Sequence, residues 1–87
     1  MPVVFIPALL RSLAGGQRQA TVSGATVSEV IDALDALYPG MRARLVEGDR
    51  LRPGLAVSID DSFGKRGLSE PVPPDSEVHF FPAIAGG

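Results

Sequence analysis

The chain has no cysteine, no tryptophan and a single histidine among its 87 residues. Without cysteine there is no disulfide framework, no thiolate metal site and no thiol redox function, and no side chain can hold sulfur covalently. His79 has no second histidine or cysteine with which to make a metal pair, so a strand histidine facing solvent or a partner is the expected role. Net charge is only −2, which makes no electrostatic case for nucleic acid or for an anionic membrane surface. Long apolar runs are missing too, since no stretch approaches the ~20 residues of a membrane span. The apolar opening Val3-Val4-Phe5-Ile6 is broken by Pro7 and carries no basic leader, which suits a first strand better than a signal peptide. Cytoplasm is the expected location.

What is present is a globular composition, 45% hydrophobic and 21% charged, enough for one domain with one modest core. Val3 to Ile6 reads as a strand ended by Pro7, whose absent amide hydrogen cannot serve a central ladder. Ala8 to Leu13 leads to the turn signal Gly15-Gly16, and Arg18 to Ser23 suits an exposed strand forming a hairpin with the first. A helix is predicted from Val27 to about Tyr38. Thr26 and Glu29 make a T-x-x-E capping box, Pro39-Gly40 marks the end, and Val27, Val30, Ile31, Leu34, Leu37 and Tyr38 fall on one apolar stripe. Met41 to Val46 suits one further helical turn, closed by Glu47-Gly48-Asp49.

Leu55, Val57 and Ile59 alternate with Ala56, Ser58 and Asp60 as a half-buried strand does. A polar loop follows, with a very short edge strand expected around Leu68, and Pro71, Pro73 and Pro74 exclude regular structure from the next piece. Glu77 to Phe81 is the last strand, with Val78 and Phe80 on one face and His79 and Phe81 on the other. Strand, strand, helix, strand, minor strand, strand is an α+β order. It is naturally arranged as a β-grasp: a mixed sheet of four to five strands, one main helix across it, the last strand parallel to the first. Residues 1–82 then make the folded domain. Residues 83–87 make a flexible arm ending in Gly86-Gly87, with a reach of about 17 Å when extended.

Side chains offer little catalytic material. Asp60-Asp61 are strand neighbours that point to opposite faces, so a turn role is expected rather than acid–base work. Gly64-Lys65-Arg66-Gly67 lacks the spacing of a phosphate loop and reads as a solvated hairpin tip. Arg42, Arg44, Arg50 and Arg52 read as a solvated face. The arm is different: Gly87 leaves its carbonyl open to attack from either side, and Gly86 admits backbone angles barred to other residues. Phe81, with His79 on the same side, reads equally as an exposed docking anchor beside the arm or as part of an outer face covered by the Pro71 to Pro74 segment.

Gly24-Ala25-Thr26-Val27 with Glu29, Tyr38-Pro39-Gly40, Pro74-Asp75-Ser76-Glu77-Val78 and the ending Pro82-Ala83-Ile84-Ala85-Gly86-Gly87 together resemble the ubiquitin-like sulfur carriers. That group contains the small subunit of molybdopterin synthase, the thiamine-pathway carrier and the carrier of one route of cysteine synthesis. Ile6-Pro7-Ala8-Leu9-Leu10-Arg11 followed by Gly15-Gly16-Gln17, and Arg66-Gly67-Leu68, look most similar to the cysteine-synthesis members. Val57-Ser58-Ile59-Asp60-Asp61 departs from the Asn-rich strand of those members. The resemblance implies a carrier that is a co-substrate and not an enzyme. It binds no cofactor of its own, and Gly87 is adenylated by an E1-like activating enzyme that uses ATP, then converted to a thiocarboxylate. Phe81, His79, Pro82, Ala83, Ile84 and Ala85 are then expected to meet partners. Those partners are the activating enzyme, a cysteine-synthase-like enzyme with a metallopeptidase, or the molybdopterin synthase large subunit. A protein modifier attached through Gly87 to lysines, and a non-covalent adaptor indifferent to Gly86-Gly87, are the readings from other classes.

Overall fold

The computed structural model describes residues 1–83, so Ile84, Ala85, Gly86 and Gly87 of the expected arm lie outside the described residues. The β-branched opening forms strand β1 (Val3–Phe5), and a seven-residue 3-10 segment, Ala8–Ala14, follows Pro7. Strand β2 (Gln19–Thr21) returns antiparallel with Val4 opposite Ala20.

Helix α1 (Val27–Leu37) begins where the capping box places it. Thr26 Oγ1 accepts from the Glu29 amide at 3.2 Å, and Glu29 Oε1 accepts from the Ala25 amide at 2.9 Å. The carboxylate thus closes the box on the residue before the cap. Val27, Val30, Ile31 and Leu34 are fully buried, whereas Leu37, expected on the same stripe, is 55% exposed. The last helical turn overhangs β2, which is too short to cover it, and Leu37 lies with Met1, Val22 and Ala33 along an open groove there. Gly24 makes the helix entry possible. Its φ is +149°, and a Cβ at that position would stand 2.7 Å from the Val30 nitrogen.

After Gly40, helix α2 (Met41–Leu45) buries Met41 and Leu45 against the core. Asp35 Oδ1 accepts from the Gly40 and Arg42 amides at 3.2 and 2.9 Å, so a side chain of α1 holds the start of α2. Glu47-Gly48-Asp49 does more than close that turn: strands β3 (Val46–Glu47) and β4 (Arg50–Leu51) pair around it as a small separate hairpin.

Strand β5 (Leu55–Ile59) pairs at once with strand β6 (Ser62–Phe63). Asp60 and Asp61 both take positive φ, 50° and 70°, as the two central residues of a tight hairpin turn require. That immediate reversal puts the edge strand at Ser62–Phe63 rather than around Leu68, which sits in a 3-10 turn, Gly67–Ser69. Strand β7 (Glu77–Pro82) completes the sheet in the order β2-β1-β7-β5-β6. It runs parallel to β1, Val4 beside Val78, and antiparallel to β5, Val57 opposite Phe80. Val4, Ile6, Val57, Ile59, Val78 and Phe80 form the inner face under α1. This is the β-grasp, with a mixed five-stranded sheet and one main helix across it.

Two substitutions on α1 separate core from overhang in urea unfolding. Leu34→Ala should lower stability by about 3 kcal/mol through cavity formation, and Leu37→Ala by less than about 1 kcal/mol. Gly24→Ala, which has both the φ and the close approach against it, should cost more than about 1 kcal/mol.

Candidate functional site

Parity along β7 builds the site. Val78 and Phe80 are buried, so His79 and Phe81 must emerge on the outer face, where both are half-buried. In-register pairing sets Phe5 of β1 beside His79, and the two rings stack with centroids 4.1 Å apart and planes 4° apart. Phe81 meets Phe63 of β6 at 5.8 Å in a tilted pair, within the range of favourable aromatic geometry. A row of three phenylalanines and one histidine, carried by β1, β7 and β6, therefore spans four strands, passing over β5. Phe63, at its open end, is 70% exposed.

Phe5 and Phe63 are the members that sequence reasoning missed. Phe5 was readable from parity, because Val4 and Ile6 facing the core send the residue between them outward. Phe63 was hidden because the expected Asp60-Asp61 turn was read as opening a polar loop and not as pairing a strand directly behind it. The Pro71 to Pro74 segment leaves this face open, since it is tied to the helix side: the Val72 amide donates to the Ala25 carbonyl at 2.9 Å and Pro71 bridges to Thr26.

The other candidates take structural roles. Asp60 belongs to the turn, and its carboxylate accepts from the Glu77 amide at 2.8 Å. In the Gly64 to Gly67 stretch, the Lys65 and Arg66 amides both donate to Glu70 Oε1, at 2.8 and 3.0 Å. Those donors are occupied by the loop's own carboxylate, and the stretch enters a 3-10 turn instead of tipping a hairpin. Arg42 pairs with Asp32 at 2.6 Å, Arg52 donates to the Ala43 carbonyl, and Arg44 and Arg50 are exposed. His79 Nε2 stands 3.6 Å from Glu77 Oε1, beyond hydrogen-bond range. No cluster of three metal-ligating side chains occurs among the described residues, and no helix there is long and apolar enough to cross a membrane.

The chain leaves the sheet beside the aromatic row. Pro82 is the final residue of β7, exposed and opposite Leu55, and the Ala83 amide donates to the Gly54 carbonyl at 2.7 Å. A groove of about 330 Å³ flanks this exit, lined among others by Phe5, Pro7, Leu9, Arg11, His79 and Pro82. Leu9 is 90% exposed. Pro82 and Ala83 are thus brought next to His79 and Phe81, while Ile84, Ala85, Gly86 and Gly87 follow outside the described residues.

Residues 4–87 match the ThiS family. The chain belongs to that family. Its curated relatives include the sulfur carrier protein CysO of Mycobacterium tuberculosis, 35% identical over 97% of this chain and 96% of that protein. Among solved structures it is similar to a chain of the Amycolatopsis orientalis BexX/CysO complex, with a TM-score of 0.91, 34% identity and 100% of both chains covered. It is also similar to SAMP1 of Haloferax volcanii, with a TM-score of 0.71, 27% identity, and 99% and 98% of the two chains covered. These ThiS-family relatives bear out the resemblance read from the helix entry, the helix exit and the last strand. The CysO relatives are small ubiquitin-like carriers rather than enzymes, and CysO is the cysteine-synthesis type that the segment after β1 suggested.

Neighbouring phenylalanines of β7 should differ in what they hold. Phe80→Ala should destabilise the domain by roughly 3–5 kcal/mol, as removal of a buried ring does. Phe81→Ala should cost about 1–2 kcal/mol, its area and ring pair being only partly enclosed. Equilibrium urea unfolding of both variants checks the difference.

Proposed function

We propose that this chain carries sulfur on the C-terminal carbonyl of Gly87 for cysteine biosynthesis. The observation that carries the reading is the near full-length relationship to a sulfur carrier of the CysO type. The position of the β7 exit beside an open aromatic face supports it.

A carboxylate is a poor electrophile, so the terminal group needs activation before sulfur can displace oxygen. An E1-like enzyme supplies this by joining the Gly87 carboxylate to AMP from ATP, with loss of pyrophosphate. Hydrosulfide then attacks the acyl carbon, the bond to AMP breaks with AMP as the leaving group, and the proton passes to solvent, so that Gly87 ends as a thiocarboxylate. ATP belongs to the enzyme. The contribution of this chain is steric: Gly86 and Gly87 carry no side chains, so the acyl group passes through a narrow channel with both carbonyl faces open. His79, Phe81 and the residues from Pro82 to Ala85 meet the wall of that channel, and the ring of Phe81 supplies apolar contact area.

In the next step the carrier sulfur displaces the activating group from the β-carbon of an activated serine derivative on a cysteine-synthase-like enzyme, giving a thioester whose acyl group passes to the amine of the new cysteine. A metallopeptidase then hydrolyses that amide with water, which frees cysteine and restores the Gly87 carboxylate. The CysO-type relatives support this branch over delivery to a molybdopterin synthase large subunit. Similarity to SAMP1 favours one further reading, a modifier whose activated Gly87 is attached to lysines. That reading predicts higher-mass conjugates in host extracts, which a carrier does not require.

Deletion of Gly87 should abolish ATP–pyrophosphate exchange by the host's activating enzyme, and undiminished exchange would overturn the proposal. Phe81→Ala should weaken the complex with that enzyme about tenfold while the domain stays folded, measured by titration calorimetry.

A further inference from the structure

We propose that Gly54 is a positioning residue for the carrier reaction: its carbonyl clamps Ala83 and so sets the length of the arm offered to the activating enzyme. The inference rests on the sulfur-carrier reading and deepens it.

The clamp is the last bond of the sheet among the described residues. Antiparallel pairing alternates hydrogen-bonded and non-bonded positions. Leu55 and Pro82 form a non-bonded pair, with the Ala83 amide reaching back one residue to the Gly54 carbonyl at 2.7 Å. The nitrogen of Pro82 therefore faces the side of β1, whose pairing with β7 has already ended at Phe5 and His79. A proline is tolerated there because no ladder bond is demanded of it. It also means that nothing on the β1 side can hold the chain through that nitrogen. Beyond Phe81, among the described residues, the attachment of the exit to the sheet comes down to one backbone hydrogen bond.

The acceptor is rigidly mounted. Arg52-Pro53-Gly54-Leu55 is a tight turn closed by the Leu55 amide on the Arg52 carbonyl at 3.1 Å, with Gly54 at φ +83°. Proline second and a positive-φ glycine third are the requirements of a type II turn. Among the described residues other than its two chain neighbours, no atom lies within 4 Å of a Cβ built on Gly54. A side chain there acts only through the backbone angle, so substitution moves the carbonyl without crowding the core.

With the clamp closed, four residues, Ile84 to Gly87, follow the held Ala83, a length of chain that spans about 14 Å at full extension. With it open, Ala83 and Pro82 join the arm, and their freedom must be lost again on entry to the enzyme. That ordering is needed equally for the bound ground state and the transition state, so it raises KM and leaves kcat in place.

The test is ATP–pyrophosphate exchange by the host's activating enzyme, with the full chain and its variants as substrate. G54V places a β-branched residue at positive φ, and A83P removes the donor from the other side. Each should raise KM about tenfold, equivalent to about 1.4 kcal/mol, with kcat within about twofold. The double variant should be no worse than either one, since both break the same bond. G54N, whose side chain tolerates positive φ, should stay within about threefold of the parent in KM and keep the slow exchange of the Ala83 amide that G54V loses. A83P lies on the surface and keeps the question answerable if G54V does not fold. Unchanged KM in A83P, with the parent chain active, overturns the clamp and leaves the carrier reading standing. A parent chain that supports no exchange removes both together.

Discussion

Strand β7 is bonded on both sides, in parallel to β1 and antiparallel to β5, and the rest of the molecule depends on that double pairing. Because the side-chain period of a strand is two, a slip of one residue would turn Val78 and Phe80 out of the core and His79 and Phe81 into it. Val78 is fully buried and Phe80 nearly so, which makes the slip costly. Burial of two side chains thus settles which residues reach the outer face, and where along the sheet the chain departs. The position of the arm is a consequence of core packing.

The outer face follows from the same register. Phe5 stacks on His79 because parallel pairing sets them side by side, and Phe81 reaches Phe63 because the Asp60-Asp61 turn brings β6 next to β5. A half-exposed aromatic row is an unusual surface for a small domain to maintain, since exposed apolar patches mark contact sites more often than they serve folding. Here the row reaches the strand end at which Pro82 and Ala83 leave the sheet. On the proposed function, docking and delivery are thereby joined on one element, a more exact mount than a loop would give.

Much of this was legible in the residues. Helix α1 was readable because its cap, its stripe and its Pro-Gly stop agree, and β5 and β7 because alternation between apolar and polar residues is strong there. Failures came where tertiary context or a two-residue element decided the outcome. Leu37 obeys the helical period, yet the strand beneath it is too short to cover it. The β3–β4 hairpin flanks Gly48-Asp49, a recognised two-residue turn pair, but strands of two residues have no period to detect. The edge strand was sought at Leu68 because Asp-Asp is a weaker sign of a positive-φ turn than Asn-Gly. The site was half legible: parity revealed His79 and Phe81, whereas the Gly54 clamp depends on a register that only the folded sheet defines.

The central claim is that a compact sheet exists to present one glycine carbonyl, and it is tested most directly at that atom. Intact and fragment mass spectrometry of the chain isolated from its own host should find a fraction heavier by about 16 Da, one oxygen replaced by sulfur. The added mass should be confined to the fragment ending in Gly87. A chain unmodified at that position while the host's sulfur pathway is active, or sulfur located elsewhere, would contradict the account.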